Sequence, residues 1–111
     1  MSDTIQFDDF TKVDIRVGTI TEVNNFPEAR NPAYQLTIDF GALGVKKSSA
    51  QITTLYKKEA LLNKQILAVV NFPKKQIGKF MSSCLVLGAV DGKGVILLNP
   101  EAPVKNGTPV S

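Results

Sequence analysis

From Val13 onward apolar and polar residues alternate with a period of two: Val13, Ile15 and Val17 share one face, while Asp14 and Arg16 take the other. At Gly18 the parity slips, and Ile20 continues on the opposite count. A slip at a glycine inside a long strand predicts a bulge or sharp coil, the device by which one strand joins two parts of a curled sheet. Ahead of this strand, residues 1–12 are polar apart from Ile5, Phe7 and Phe10. Phe7 and Phe10 fall on one face of a short helical turn, which must dock either on its own barrel or on a partner chain. Beyond a two-proline loop (Phe26 to Pro32) the second strand alternates cleanly, with Tyr34, Leu36, Ile38 and Phe40 on one face and Gln35, Thr37 and Asp39 on the other.

Gly41 and Gly44 bracket a turn into a third, polar strand from Val45 to Ile52. Thr53 or Thr54 is placed to cap a helix running to about Leu62, with Asn63 as its terminator. Gln65 to Val70 reads as a fourth strand, apolar on both faces and therefore central. A loop from Asn71 to Phe80 leads to a fifth strand, Ser83 to Val90. Asp91-Gly92-Lys93-Gly94 then turns the chain into Val95 to Leu98, and an extended tail carries Pro100, Pro103 and Pro109. Three strands, one helix and further strands, with a coiled first strand, is the order of an all-β OB-fold, a five-stranded Greek-key barrel. An SH3-like barrel lacks the helix between strands three and four, and a ferredoxin-like fold needs a second helix. The expected organisation is a single domain over residues 1–111, with an arm at 1–12 and a C-terminal extension at 100–111.

At 111 residues the chain buries roughly two-thirds of its unfolded surface, enough for one modest core. It has no histidine, no tryptophan and one cysteine, Cys84. That excludes Ser-His-Asp and Cys-His nucleophile pairs, imidazole metal ligands, an intrachain disulfide and every CxxC metal site. The carboxylates are scattered except for Asp8 and Asp9, which cap or solvate a turn, and no glycine-rich phosphate loop is present. Cys84 opens an apolar run and reads as a small buried hydrophobe. The expectation is no catalytic residue, no metal and no cofactor: not an enzyme. Short apolar runs, an acidic amino terminus and a lone cysteine fit a cytoplasmic protein that does not insert in membranes.

The net charge of +3 hides a division. Residues 1–30 carry six acids against Lys12, Arg16 and Arg30, whereas residues 46–79 carry eight lysines against Glu59 alone. Lysines gathered without interleaved acid suit an anionic polymer. The informative stretch is residues 71–83, NFPKKQIGKFMSS. Pro73 stiffens its start and Gly78 permits a tight reversal, so that Lys74, Lys75 and Lys79 project from a hairpin-like arm anchored by Ile77 and Phe80. Fixed ammonium groups match phosphates, and Asn71, Ser82 and Ser83 supply neutral donors and acceptors. A solvated loop whose serines satisfy their own backbone has the same composition. On the third strand, Lys46, Ser48 and Gln51 are expected to share a groove with this loop. Aromatic residues are few, which disfavours serial base stacking and favours recognition of a folded RNA by backbone and shape.

The strings DIRVGTITEV (14–23), SSAQIT (48–53) and VVNFP with its basic continuation (69–79) resemble the tRNA-binding domain family, which includes the C-terminal appendage of methionyl-tRNA synthetase. With FPEAR (26–30), IDFG (38–41) and PVKNGT (103–108) added, the resemblance is strongest to the stand-alone members and runs over essentially the whole chain. It implies an OB-fold homodimer whose terminal extensions meet, which places Phe7, Phe10, Pro100 and Pro103 at the interface. It also implies tRNA binding, with a chaperone role toward unfolded or export-destined polypeptides. The family's basic loop falls on Asn71, Lys74, Lys75, Gly78, Lys79 and Ser82, and its third-strand serine on Ser48. The stand-alone members tend to carry arginine in this loop where this chain has lysine, a point charge without the planar fork for bidentate readout.

Overall fold

Ile15 to Asn25 (β1) is an eleven-residue strand that two other barrel strands share along its length, and this sharing curls the sheet. Its first half pairs antiparallel with Gln65–Val69 (β4), from Ile15 opposite Val69 to Thr19 opposite Gln65. Its second half pairs with Tyr34–Asp39 (β2), from Thr19 opposite Asp39 to Asn25 opposite Tyr34. β2 pairs in turn with Val45–Ala50 (β3), and β4 with Leu85–Val86 (β7). The strand order β3-β2-β1-β4-β7 is a nearly closed five-stranded antiparallel barrel, the expected OB-type fold. The computed structural model describes residues 3–111, so the first two residues of the expected arm lie outside the described residues.

The remaining elements decorate this barrel. Phe7–Thr11 (α1) is the arm's helical turn, and Lys58–Leu61 (α2) lies between β3 and β4. Lys75–Ile77 (β5) and Phe80–Ser82 (β6) form one hairpin. Gly88–Asp91 (β8) and Gly94–Leu97 (β9) form another, turning where expected between Asp91 and Gly94. Pro109–Val110 (β10) returns to pair with Ile15 and Arg16. The core comprises Ile20, Leu36, Ile38, Phe40, Ile52, Leu61, Ile66, Ala68 and Cys84. The alternation Leu36, Ile38, Phe40 thus points inward as read, with Tyr34 half-buried and its hydroxyl donating to the Tyr56 carbonyl at 2.8 Å.

Four sequence expectations need correction. The helix before β4 is one turn, not the eight or nine residues expected, because residues 53–55 form a turn and an extended Lys57 rather than a threonine occupies the cap. Asn63 does terminate the helical segment, at φ 67°. The bulge in β1 falls between Ile20 and Glu22, whereas Gly18 stays in register with Ile66. Gly18 is instead a packing glycine: a Cβ there would lie 2.6 Å from Ile38 Cγ2 and 2.7 Å from Phe40 Cε1. The third strand ends at Ala50, short of Ile52. The fifth strand is split, because Leu85–Val86 completes the barrel while Gly88–Asp91 leaves it for the second hairpin.

Candidate nucleic-acid interface

The stretch NFPKKQIGKFMSS folds into the β5–β6 hairpin, with Lys75 opposite Ser82, Gln76 opposite Met81 and Ile77 opposite Phe80. Its two-residue loop is Gly78-Lys79, and Gly78 adopts φ 60°, the conformation a tight hairpin asks of its first loop residue. Phe80 packs on buried Phe26 with ring centroids 5.2 Å apart, which anchors the tip to the loop after β1. The base is fastened to β3: Ser83 N donates to the Lys47 carbonyl at 2.7 Å, and Lys47 N donates to Ser83 Oγ at 3.2 Å. The hairpin therefore closes over the free edge of β3, and its lysines are held on a tethered frame.

Lys74, Lys75 and Lys79 are exposed. Among the described residues the one ion pair joins Arg16 to Asp14 at 2.6 Å, so no lysine is neutralised by a carboxylate. The acid beside the hairpin is Glu28, whose Cβ lies 3.8 Å from the Cβ position at Gly78. Two grooves flank the hairpin. One, of about 650 Å³, has Phe72, Pro73, Cys84 and Leu85 as its apolar wall and Lys74, Lys75, Gln76 and Ser82 as its polar rim. The other, of about 300 Å³, brings Arg30, Asn31 and Gln51 beside Lys75 and Gln76. No aspartate or glutamate lines either groove.

The expected site residues divide under this geometry. Lys74, Lys75 and Ser82 line one groove, Gln51 reaches the other beside Lys75, and Lys79 sits in the turn between the hairpin's strands. Lys46 is half-buried and close enough to Cys84 to act on its thiol. Ser48 is corrected outright: it is fully buried opposite Leu36, and its hydroxyl donates to the Ser49 carbonyl at 3.0 Å. On β3, positions 46 and 48 share one parity and 47 the other; Ser48 is sealed in the core while Lys46 stays partly exposed, so the burial of Ser48 excludes a groove built from the two together. Asn71 is also reassigned. Its Oδ1 accepts from Asp14 N at 3.0 Å and its Nδ2 donates to the Lys12 carbonyl at 2.7 Å, so the amide ties the arm's base to the end of β4.

Nor do the eight lysines form one array: Lys57 and Lys58 belong to the α2 segment, which leans on β1, and Lys64 follows it. The geometry adds Lys47, Gln76 and Arg30, together with Phe72 and Leu85. Arg30 was visible in FPEAR, but its nearness to the hairpin depends on long-range folding. Cys84 lies at the groove's inner wall, and burial pushes its thiol pKa up to about 11, with Lys46 pulling weakly the other way.

At the termini, α1 buries none of its residues. Phe7 is 76% exposed, and its ring stands 6.4 Å from that of Phe10. Pro103 is exposed and Pro100 half-buried, while the tail beyond them docks on its own β1. Gln65 binds both the N–H and the carbonyl of Val104, and Gly107 N donates to the Val17 carbonyl at 2.7 Å. Among the described residues no helix is long and apolar enough to cross a membrane, and no three His, Cys, Asp or Glu side chains gather as a metal site.

Comparison with known proteins agrees with this architecture. The crystal structure of the chaperone CsaA from Bacillus anthracis superposes with a TM-score of 0.93 at 50% identity, covering 98% of this chain and 100% of that one. The CsaA chaperone protein from Picrophilus torridus does so with a TM-score of 0.92 at 54% identity, covering 97% and 100%. Methionine–tRNA ligase of Pyrococcus horikoshii is 39% identical over 106 residues, which are 96% of this chain. The chain spans only 14% of that ligase's length. The family described as "Putative tRNA binding domain" matches residues 15–109, from the start of β1 into β10, and the chain belongs to this tRNA-binding domain family.

Proposed function

We propose that this chain is a non-enzymatic RNA-binding protein that holds tRNA by backbone and shape. Lys74, Lys75 and Lys79 supply the phosphate contacts, with Lys46, Gln51 and Ser82 beside them. One observation carries the reading: the tethered β5–β6 hairpin presents unpaired lysines along two grooves that no carboxylate lines. Ammonium groups on a fixed frame displace counterions from phosphates without first having to be ordered. Lysine at these positions gives charge without bidentate base readout, which fits recognition of a folded RNA rather than of a base sequence. Membership of the tRNA-binding domain family supports the same partner.

The working unit in this reading is a cytoplasmic homodimer made through Phe7 and Phe10 of the arm with Pro100 and Pro103 of the extension, the whole chain acting as one domain. The exposure of Phe7 on α1, a helix that fully buries none of its residues, supports it.

The test is a salt titration of tRNA binding by the wild-type chain and by a Lys74→Glu/Lys75→Glu variant. For the wild type, log affinity is expected to fall with log salt at a slope of roughly −0.7 to −0.9 per phosphate contacted. The folded double variant is expected to lose binding. Undiminished tRNA retention by that variant would remove the hairpin from the site.

A second reading, that the protein is primarily a holdase for unfolded or export-destined polypeptides, is favoured by the apolar groove wall at Phe72 and Leu85 and by the CsaA chaperones it resembles. Suppression of client aggregation that persists at high salt, where RNA binding fades, would support it. Suppression that fades in parallel with tRNA affinity would need no separate apolar site.

A further inference from the structure

Phosphate binding does not explain why the groove beside the hairpin has an apolar wall. Phe72 is 53% exposed and Leu85 47% exposed, and Pro73 stands between Phe72 and the lysines. The groove's volume of about 650 Å³ lies within the range of sites that enclose small organic groups. Its rim is cationic on the Lys74–Lys75 side, and Ser82 adds a hydroxyl to that rim. A ligand matching both halves must carry a flat, weakly polar group directly beside an anion. A nucleotide does this at every residue. An unfolded polypeptide brings apolar side chains, but no anion at a fixed spacing from each of them.

We infer that this groove is a slot for a single unstacked nucleobase, seated against Phe72 and Leu85 while its flanking phosphates rest on Lys74 and Lys75. The inference deepens the RNA-binding reading and rests on it. It also makes sense of the scarcity of exposed aromatic residues near the hairpin: one stacking position serves a folded RNA with one splayed base, whereas serial binding of single strands needs several. Ser82 and Gln76 line the same groove and are the polar groups this slot offers to the edge of the base; Ser82 Oγ donates to the Cys84 carbonyl at 3.4 Å and Gln76 Nε2 to the Gly78 carbonyl at 3.0 Å.

The experiment uses the full-length chain and two RNA hairpins of equal length and charge, one ending in an unpaired 3′ nucleotide and the other in an abasic residue at that position. Fluorescence anisotropy at fixed salt is expected to show the base-bearing hairpin bound about 5- to 100-fold more tightly. Phe72→Ala, at an exposed position, is expected to erase that difference and leave the affinity for the abasic hairpin unchanged. Equal wild-type binding of both hairpins with an intact salt slope would overturn the slot while leaving the lysine frame standing. An equal loss on both hairpins in Phe72→Ala would make Phe72 a support of the loop and also overturn it. Failure of both hairpins and of tRNA to bind would overturn the RNA reading itself. If instead reduced, carboxymethylated lactalbumin loses binding in Phe72→Ala while the two hairpins bind alike, the groove belongs to polypeptides and the proposal falls.

Discussion

Ser83 and Lys47 are joined by three hydrogen bonds: Ser83 N donates to the Lys47 carbonyl at 2.7 Å, Ser83 Oγ donates to the same carbonyl at 3.4 Å, and Lys47 N donates to Ser83 Oγ at 3.2 Å. This pair lies thirty-six residues apart in sequence and fastens the lysine-bearing hairpin to the free edge of β3. The same bonds satisfy backbone groups that an edge strand would otherwise expose.

Ser83→Ala keeps the backbone donor and loses only the two hydroxyl contacts, so a stability loss of about 0.5–1.5 kcal/mol is expected. Ser83→Pro also removes the N–H that reaches Lys47, and its loss is expected to be larger, about 1–3 kcal/mol. Urea unfolding of the three chains checks the order. Equal stability of Ser83→Pro and wild type would mean that the Ser83–Lys47 contacts do not hold the hairpin.

Gly18→Ala places a methyl group 2.6–2.8 Å from Ile38 and Phe40 side-chain atoms that are themselves fully buried. Neither can move into solvent, so overpacking of about 1–3 kcal/mol is expected. Thermal unfolding followed by circular dichroism measures it, and an unchanged midpoint would contradict the packing role.

Cys84 provides a pH prediction. Its thiol pKa is pushed up to about 11 from an ordinary 9.0, chiefly because burial disfavours the thiolate. Below pH 9 the thiol is neutral in folded and unfolded chains alike, and it does not affect stability. Between 9 and 11 the unfolded chain releases the proton first, so stability falls as pH rises, by a total on the order of 2–3 kcal/mol. The difference between wild type and Cys84→Ala isolates this effect from lysine titration. A difference that stays constant from pH 8 to 11 would contradict it. Alkylation of the folded protein at pH 8 is correspondingly expected to be slow.

Removal of residues 1–11 leaves intact the Asn71 bonds to Lys12 and Asp14, so the barrel is expected to remain folded. Under the proposed dimer, sedimentation is expected to shift from dimer to monomer, because Phe7 is 76% exposed and Phe10 only half-buried within this chain. A truncated chain that still sediments as a dimer would refute the role proposed for the arm.

Much of the barrel was legible in the residue pattern. Leu36, Ile38 and Phe40 alternate without interruption, and β2 holds that parity from end to end. The Asp91–Gly94 turn and the reversal at Gly78 were equally local, since both depend on what glycine permits over two or four residues. The α2 region misled because good helix formers were read as sufficient, whereas residues 53–55 form a turn and only four residues, 58–61, are helical. At position 18 the glycine is required by the nearness of Ile38 and Phe40, which no local pattern contains, and the bulge itself lies further on, between Ile20 and Glu22.

By itself the sequence determined which segments could be strands, where the chain could reverse, and that a lysine-rich stretch without acid lies between residues 71 and 80. These depend on side-chain period, glycine freedom and charge, all properties of neighbours along the chain. Only the tertiary structure decided that Ser48 is sealed in the core, that Asn71 is spent on the arm, that Lys57 and Lys58 lie on a different element from Lys74 and Lys75, and that Phe72 and Leu85 wall a common groove. The reason is geometric: a two-residue repeat states that side chains alternate, but which face becomes the interior is set by strands that meet across tens of residues.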